Sequence, residues 1–222
     1  MTRVILVRHG RTTANQSGVL AGRADVELDD VGREQAARVG QRLAAVNVAA
    51  VVTSPMLRTQ QTAQLLVAPQ SEPKTPIVDE RLAEVEYGEW TGRALKDLAG
   101  DPLWGVVQQH PAAVTFPGGE SMAAMSARAC ASVREWAGSP AADGVVVVVS
   151  HGDVIKAILA DALGMHLDAF QRIVVNPGSI SAISYAGGRP FVERVNDCGE
   201  ALADLQVEPP AEATPGGTTG SG

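Results

Sequence analysis

Two kinds of periodicity alternate along the chain. Val4, Ile5, Leu6 and Val7 form an unbroken apolar run, too short for a helix, which predicts a fully buried strand. Val145 to Val149 repeats the pattern, and Ala49 to Thr53 reads as another strand. Strands buried on both faces belong to a parallel sheet covered by helices. Helical spacing fills the intervals. Val31, Val39, Leu43 and Val46 mark a helix capped by Asp29 or Asp30. Ser54-Pro55 reads as a cap and first helical residue, with the helix running to about Val67. Ser121 caps a helix that carries Met122, Met125, Ala129, Val133 and Trp136 on one face, a core stripe. Asp153 to Leu163 is helical and stops at Gly164. Leu95 to Gly100 is a weak helix, and Pro76 to Val78 and Ile173 to Val175 are short strands. Ile180 to Tyr185 and Pro190 to Val195 flank a glycine-rich turn and predict a hairpin, so the α/β sheet mixes parallel strands with an antiparallel pair.

The two strongest runs both end in residues able to do chemistry. The first ends in Arg8-His9-Gly10-Arg11 and the second in Ser150-His151-Gly152-Asp153. In a chain with four histidines, two core strands ending in His-Gly are unlikely by chance. Ligands of open α/β sheets sit at the carboxyl ends of strands. Strand, Ser54-Pro55 and then Arg58 place that arginine at the same edge, beside a helix N-terminus. The collected set is Arg8, His9, Arg58 and His151. It suits a tetrahedral oxyanion, because arginine grips phosphate with a fixed fork of donors. Neighbouring guanidiniums disfavour an imidazolium, so they keep His9 neutral and able to attack phosphorus. A departing alkoxide then needs a carboxyl of raised pKa. The acidic loop Asp79 to Gly92 offers Glu84, Glu86 and Glu89, and spacing does not choose among them.

The 222 residues suffice for one α/β domain, placed at 1–207, with a Pro, Gly and Thr-rich tail, 208–222, expected to be disordered. A net charge of −7 disfavours a nucleic-acid face, so positive charge must be held locally. No apolar run is long enough to span a bilayer and no secretory signal precedes the first strand, which predicts a cytoplasmic protein with no membrane partner. Cys130 and Cys198 fit no metal spacing, and a disulfide between them is disfavoured.

The motifs, in order, resemble the histidine phosphatase superfamily, the phosphoglycerate-mutase-like group. They are Leu6-Val7-Arg8-His9-Gly10 with Thr13 and Asn15; Ser54-Pro55 with Arg58-Thr59 and Thr62-Ala63; Leu82-Ala83-Glu84 with Gly88 to Gly92; Pro117 to Ser121; and Val149-Ser150-His151-Gly152. The resemblance implies a three-layer α/β/α sandwich. It implies His9 as the nucleophile, Glu84 as the proton donor, and Arg8, Asn15, Arg58, His151 and Gly152 around the phosphoryl group. It implies no cofactor and no metal, and a small phosphorylated metabolite as substrate. His110 and His166 match no motif position.

Three other functions compete with hydrolysis. Mutases of the family carry Arg-His-Tyr-Gly after the glutamate, where this chain has Val85-Glu86-Tyr87-Gly88, so the resemblance favours a phosphatase over a mutase. A binding module without turnover needs neither nucleophile nor acid. A metal hydrolase on His9, Glu84, His151 and Asp153 would set a dication beside Arg8 and Arg58. Specificity is expected from the acidic loop and from Leu98 to Phe116. The hairpin edge leaves pairing with a second copy, a homodimer, open.

Overall fold

The computed structural model of the protein describes residues 2–139, 144–199 and 216. Six strands form one sheet in the order β3-β2-β4-β1-β5-β6. They are β1 (Thr2–Arg8), β2 (Val48–Thr53), β3 (Ile77–Val78), β4 (Val145–Ser150), β5 (Ile180–Ala186) and β6 (Arg189–Asp197). The first four are mutually parallel, while β5 pairs antiparallel with β1 and β6.

Alternation within the apolar runs divides the core. Val4, Leu6, Val52, Val146 and Val148 join one buried cluster; Ile5, Val7, Val51, Val147 and Val149 join another. The first cluster includes residues of α6 (Met122–Gly138) and α7 (Gly152–Ala162). The second includes residues of α2 (Asp30–Leu43) and α3 (Leu57–Val67). Helices therefore cover both faces, the α/β/α arrangement. Val146 to Val149 are wholly excluded from water, worth about 1.5–3 kcal/mol each. Short helices α1 (Thr13–Gln16), α4 (Leu95–Leu98) and α5 (Trp104–Gln109) lie in the connections. Among the described residues no helix is long and apolar enough to cross a membrane.

Several boundaries differ from those the sequence predicts. Asp29 caps α2 by accepting from Gly32 N at 2.7 Å, but the helix stops at Leu43. Helix α3 starts at Leu57 with Met56 as its uncapped N-terminal flank; Ser54 lies before it, its hydroxyl 2.7 Å from His151 Nε2 and accepting from Met56 N at 3.4 Å. Ile173 to Val175 is not a strand. It comes after a 3-10 segment, Leu167–Arg172, and the Val175 carbonyl accepts from Arg8 instead of from a neighbouring strand. The 79–92 stretch is anchored inward: Leu82, Val85, Tyr87 and Trp90 are buried around two 3-10 turns, while Glu80, Glu86 and Glu89 stay exposed. Cys130 and Cys198 are both free thiols. The tail expected to be disordered lies outside the described residues except for Gly216.

Candidate active site

Parallel pairing of β1 with β4 matches Arg8 to Ser150, so both strands end at one level. His9 N donates to the Ser150 carbonyl at 3.0 Å, and the His9 and His151 rings lie edge to face with centroids 5.3 Å apart. The tight turn after β1 requires glycine: a Cβ on Gly10 would sit 2.2 Å from the Gly32 carbonyl oxygen. Gly10 N donates to Thr62 Oγ1 at 3.2 Å, tying the turn to α3.

Hydrogen bonding sets the state of each ring. His9 Nδ1 lies 2.7 Å from the Gly10 carbonyl, which can only accept, so Nδ1 carries the proton. Burial, reinforced by the Arg58 and Arg8 charges, holds the His9 pKa well below its ordinary value. The neutral ring therefore keeps a lone pair on Nε2. His151 Nε2 lies 2.7 Å from the Ser54 hydroxyl, and burial with the Arg58 charge holds this imidazole neutral too.

The arginines hang from main-chain carbonyls. Arg58 donates to Gly22 O at 2.7 Å and to Ala24 O at 3.1 Å. Arg8 donates to Val175 O at 2.7 Å and to Gly216 O at 3.1 Å, and burial lowers its pKa to about 10. Both remain cations at neutral pH. Asn15 closes a capping box with Thr12 at the start of α1, its Oδ1 accepting from Thr12 N and Oγ1. Gly152 opens α7, whose N-terminus adds partial positive charge behind His151.

Of Glu84, Glu86 and Glu89, Glu84 alone is buried. Its Oε1 accepts from Val85 N at 3.0 Å, and its Oε2 lies 3.8 Å from His151 Nδ1. Burial, with repulsion from Asp153, pushes the Glu84 pKa up to about 7, against the pull of Arg58 and Arg8. With His151 neutral, this contact is no ion pair near pH 6; a protonated carboxyl faces an uncharged ring.

His9, Asn15, Arg58 and Glu84 line one pocket together with Thr12, Tyr87 and Gly216. Arg8, His151 and Gly152 lie directly behind it, buried and outside its lining. Of the Leu98 to Phe116 segment nothing reaches this pocket; Val107, Val114 and Phe116 are core residues, and the outer wall is Gly18 to Gly22 with Leu95. His110 and His166 are exposed and each faces Asp168. Among the described residues no group of three or more His, Cys, Asp or Glu has a metal-holding arrangement.

Two residues at the site have roles that the sequence did not suggest, Tyr87, read only as part of a motif, and Asp153, read only as a candidate metal ligand. Asp153 is a buried carboxylate whose Oδ2 accepts from the Tyr87 hydroxyl at 2.9 Å and whose Oδ1 lies 3.7 Å from the equally buried Lys156 Nζ. Burial and the Asp153 charge hold Tyr87 neutral, with its pKa well above the ordinary phenol value. Both were visible, in the acidic loop and in the first turn after His151, but neither residue type announces such a role.

Comparison with known proteins agrees with this geometry. Residues 4–198 match the histidine phosphatase superfamily, branch 1. The chain is 31% identical over 193 residues to a glucosyl-3-phosphoglycerate phosphatase of Mycolicibacterium vanbaalenii, covering 83% of this chain and 84% of that protein. It is 32% identical over 187 residues to a probable phosphoglycerate mutase of Yersinia enterocolitica, covering 83% and 86%. The crystal structure of phosphoserine phosphatase from Entamoeba histolytica in complex with 3-phosphoglyceric acid superposes with a TM-score of 0.80 at 26% identity, covering 89% of this chain and 98% of that one. The chain belongs to the histidine phosphatase superfamily.

Proposed function

We propose that the protein hydrolyses the phosphomonoester of a small metabolite through a phosphohistidine on His9. The observation that carries this reading is the Nδ1 proton of His9, fixed on Gly10 O, which leaves the Nε2 lone pair in a pocket shared with Arg58 and Glu84. Nε2 attacks phosphorus, forming an N–P bond as the ester P–O bond breaks. Arg8, Arg58, His151 and Asn15 hold the phosphoryl oxygens, and the guanidiniums carry the charge that develops on them. Glu84 gives its proton to the leaving oxygen. The resulting carboxylate then takes a proton from water, which attacks phosphorus and frees His9.

Hydrolysis rather than intermolecular transfer is favoured at Val85. This position, which carries arginine in mutase-type motifs, is a fully buried aliphatic residue. The relatives named phosphatases carry glucosyl-3-phosphoglycerate and phosphoserine in their names, both phosphomonoesters of small metabolites.

Release of para-nitrophenol from its phosphate, with trapping of an acid-labile phosphoenzyme, tests the reading. The wild type should show both and His9→Ala neither. A phosphoenzyme trapped in His9→Ala would refute the assignment. Activity on 3-phosphoglycerate that requires 2,3-bisphosphoglycerate would show a mutase instead.

A further inference from the structure

Gly216 lines the pocket together with His9, Arg58 and Glu84. Its carbonyl accepts from Arg8 Nη2 at 3.1 Å, and its N–H donates to Asp153 Oδ2 at 2.9 Å. The backbone N–H and carbonyl of one residue thus bridge a buried guanidinium and a buried carboxylate. Arg8 is one of the groups that hold the phosphoryl oxygens in the proposed hydrolysis, on which this inference rests. A phosphate oxygen on Arg8 would need the place that the Gly216 carbonyl holds.

Two further observations support a fitted contact. Gly216 has φ +77°, in the left-handed region that glycine enters freely. A Cβ there would lie 3.2 Å from Leu20 Cδ1 and 3.8 Å from the Tyr87 hydroxyl, so the pocket wall admits glycine closely. With the peptide in place, the remaining cavity is about 30 Å³ and neither Arg8 nor His151 lines it. That is room for a water or two, not for a phosphoryl group.

We propose that the Arg8–Asp153 pair is a binding site for the backbone N–H and carbonyl of a single residue, and that the chain's own Gly216 occupies it in competition with the phosphorylated substrate. The tail is then an intramolecular competitor, and the intrinsic affinity of the pocket is masked by the fraction of time Gly216 fills it.

The test uses the full chain, Gly216→Val, and a form ending at Glu208. Valine is β-branched and resists a positive φ, so it expels the peptide while every pocket side chain is kept. Inorganic phosphate binding by calorimetry and KM for para-nitrophenyl phosphate are the readouts. Both variants should bind phosphate about five- to tenfold more tightly, the factor expected for a site held most of the time. KM should fall by the same factor. Unchanged or weaker phosphate binding in both variants would overturn the proposal, the latter making Gly216 part of the substrate site. Tighter phosphate binding with no ester hydrolysis by any form would support the competitor and refute the catalytic reading instead.

Discussion

Replacing Glu84 by glutamine separates an acid from a merely buried side chain. Glutamine keeps the size of the side chain and an oxygen for Val85 N, but it cannot ionise. The Glu84 pKa is about 7 in the fold against an ordinary value of 4.5. The folded protein therefore binds this proton more tightly than the unfolded chain. The stability it contributes is full below about pH 4.5 and is lost as pH rises through 7. The gap of 7 − 4.5 is worth about 3 kcal/mol at pH 8, and under 1 kcal/mol at pH 5. Glu84→Gln removes that loss. Its stability relative to wild type should rise by about 2.5 kcal/mol between pH 5 and pH 8. Urea unfolding at several pH values, read by linear extrapolation with equal slopes for the two proteins, measures the difference. A stability difference that does not change with pH would mean that Glu84 is ionised in the fold like an ordinary carboxylate. The argument for its role as acid would fall with it.

Other expectations use the same geometry. Glu84→Gln should slow hydrolysis of alkyl phosphates about 10²- to 10⁴-fold and of para-nitrophenyl phosphate far less; equal slowing would show it is not the donor. In the wild type, kcat/KM should fall as pH rises through about 7, where Glu84 of the free enzyme loses its proton, and no acidic limb from His9 should appear near 6.5, because its ring is already neutral there. Arg58→Ala should cost about 2–4 kcal/mol in kcat/KM, measured with saturating and limiting substrate. Gly10→Ala should destabilise the fold by about 3 kcal/mol, because its Cβ would meet the Gly32 carbonyl, and thermal unfolding will show it.

Much of the fold is written in the apolar runs. Val4 to Val7 and Val145 to Val149 could only be interior strands, and their ends bring His9 and His151 together. Period and turn residues also located α6, with Ser121 as its cap, and the β5–β6 hairpin. Reading failed where a tertiary partner outbids a local signal. Ser54-Pro55 has the form of a helix start, but the helix begins at Leu57 and the serine hydroxyl lies against His151. Ile173 to Val175 has strand composition, but Arg8 takes the Val175 carbonyl. Asp153 has the look of an ordinary first-turn acid of a helix, and only the packing of Tyr87 and Lys156 against it shows a buried charge. Choosing Glu84 over Glu86 and Glu89 required knowing which carboxylate is hidden from water.

The anchoring of the two arginines bears on how such a site can diversify. Val175, Gly22 and Ala24 lend only their backbone oxygens, and any residue at those positions offers the same atom. Of the three, exposed Ala24 can change its side chain without unseating Arg58, whereas Gly22, at φ +53° with a Cβ that would meet Thr91, and buried Val175 are held by their own surroundings. Gly22 and Leu20 also shape the mouth through which a substrate must pass. New preferences can thus be tried at the rim while the grip on phosphorus is inherited unchanged.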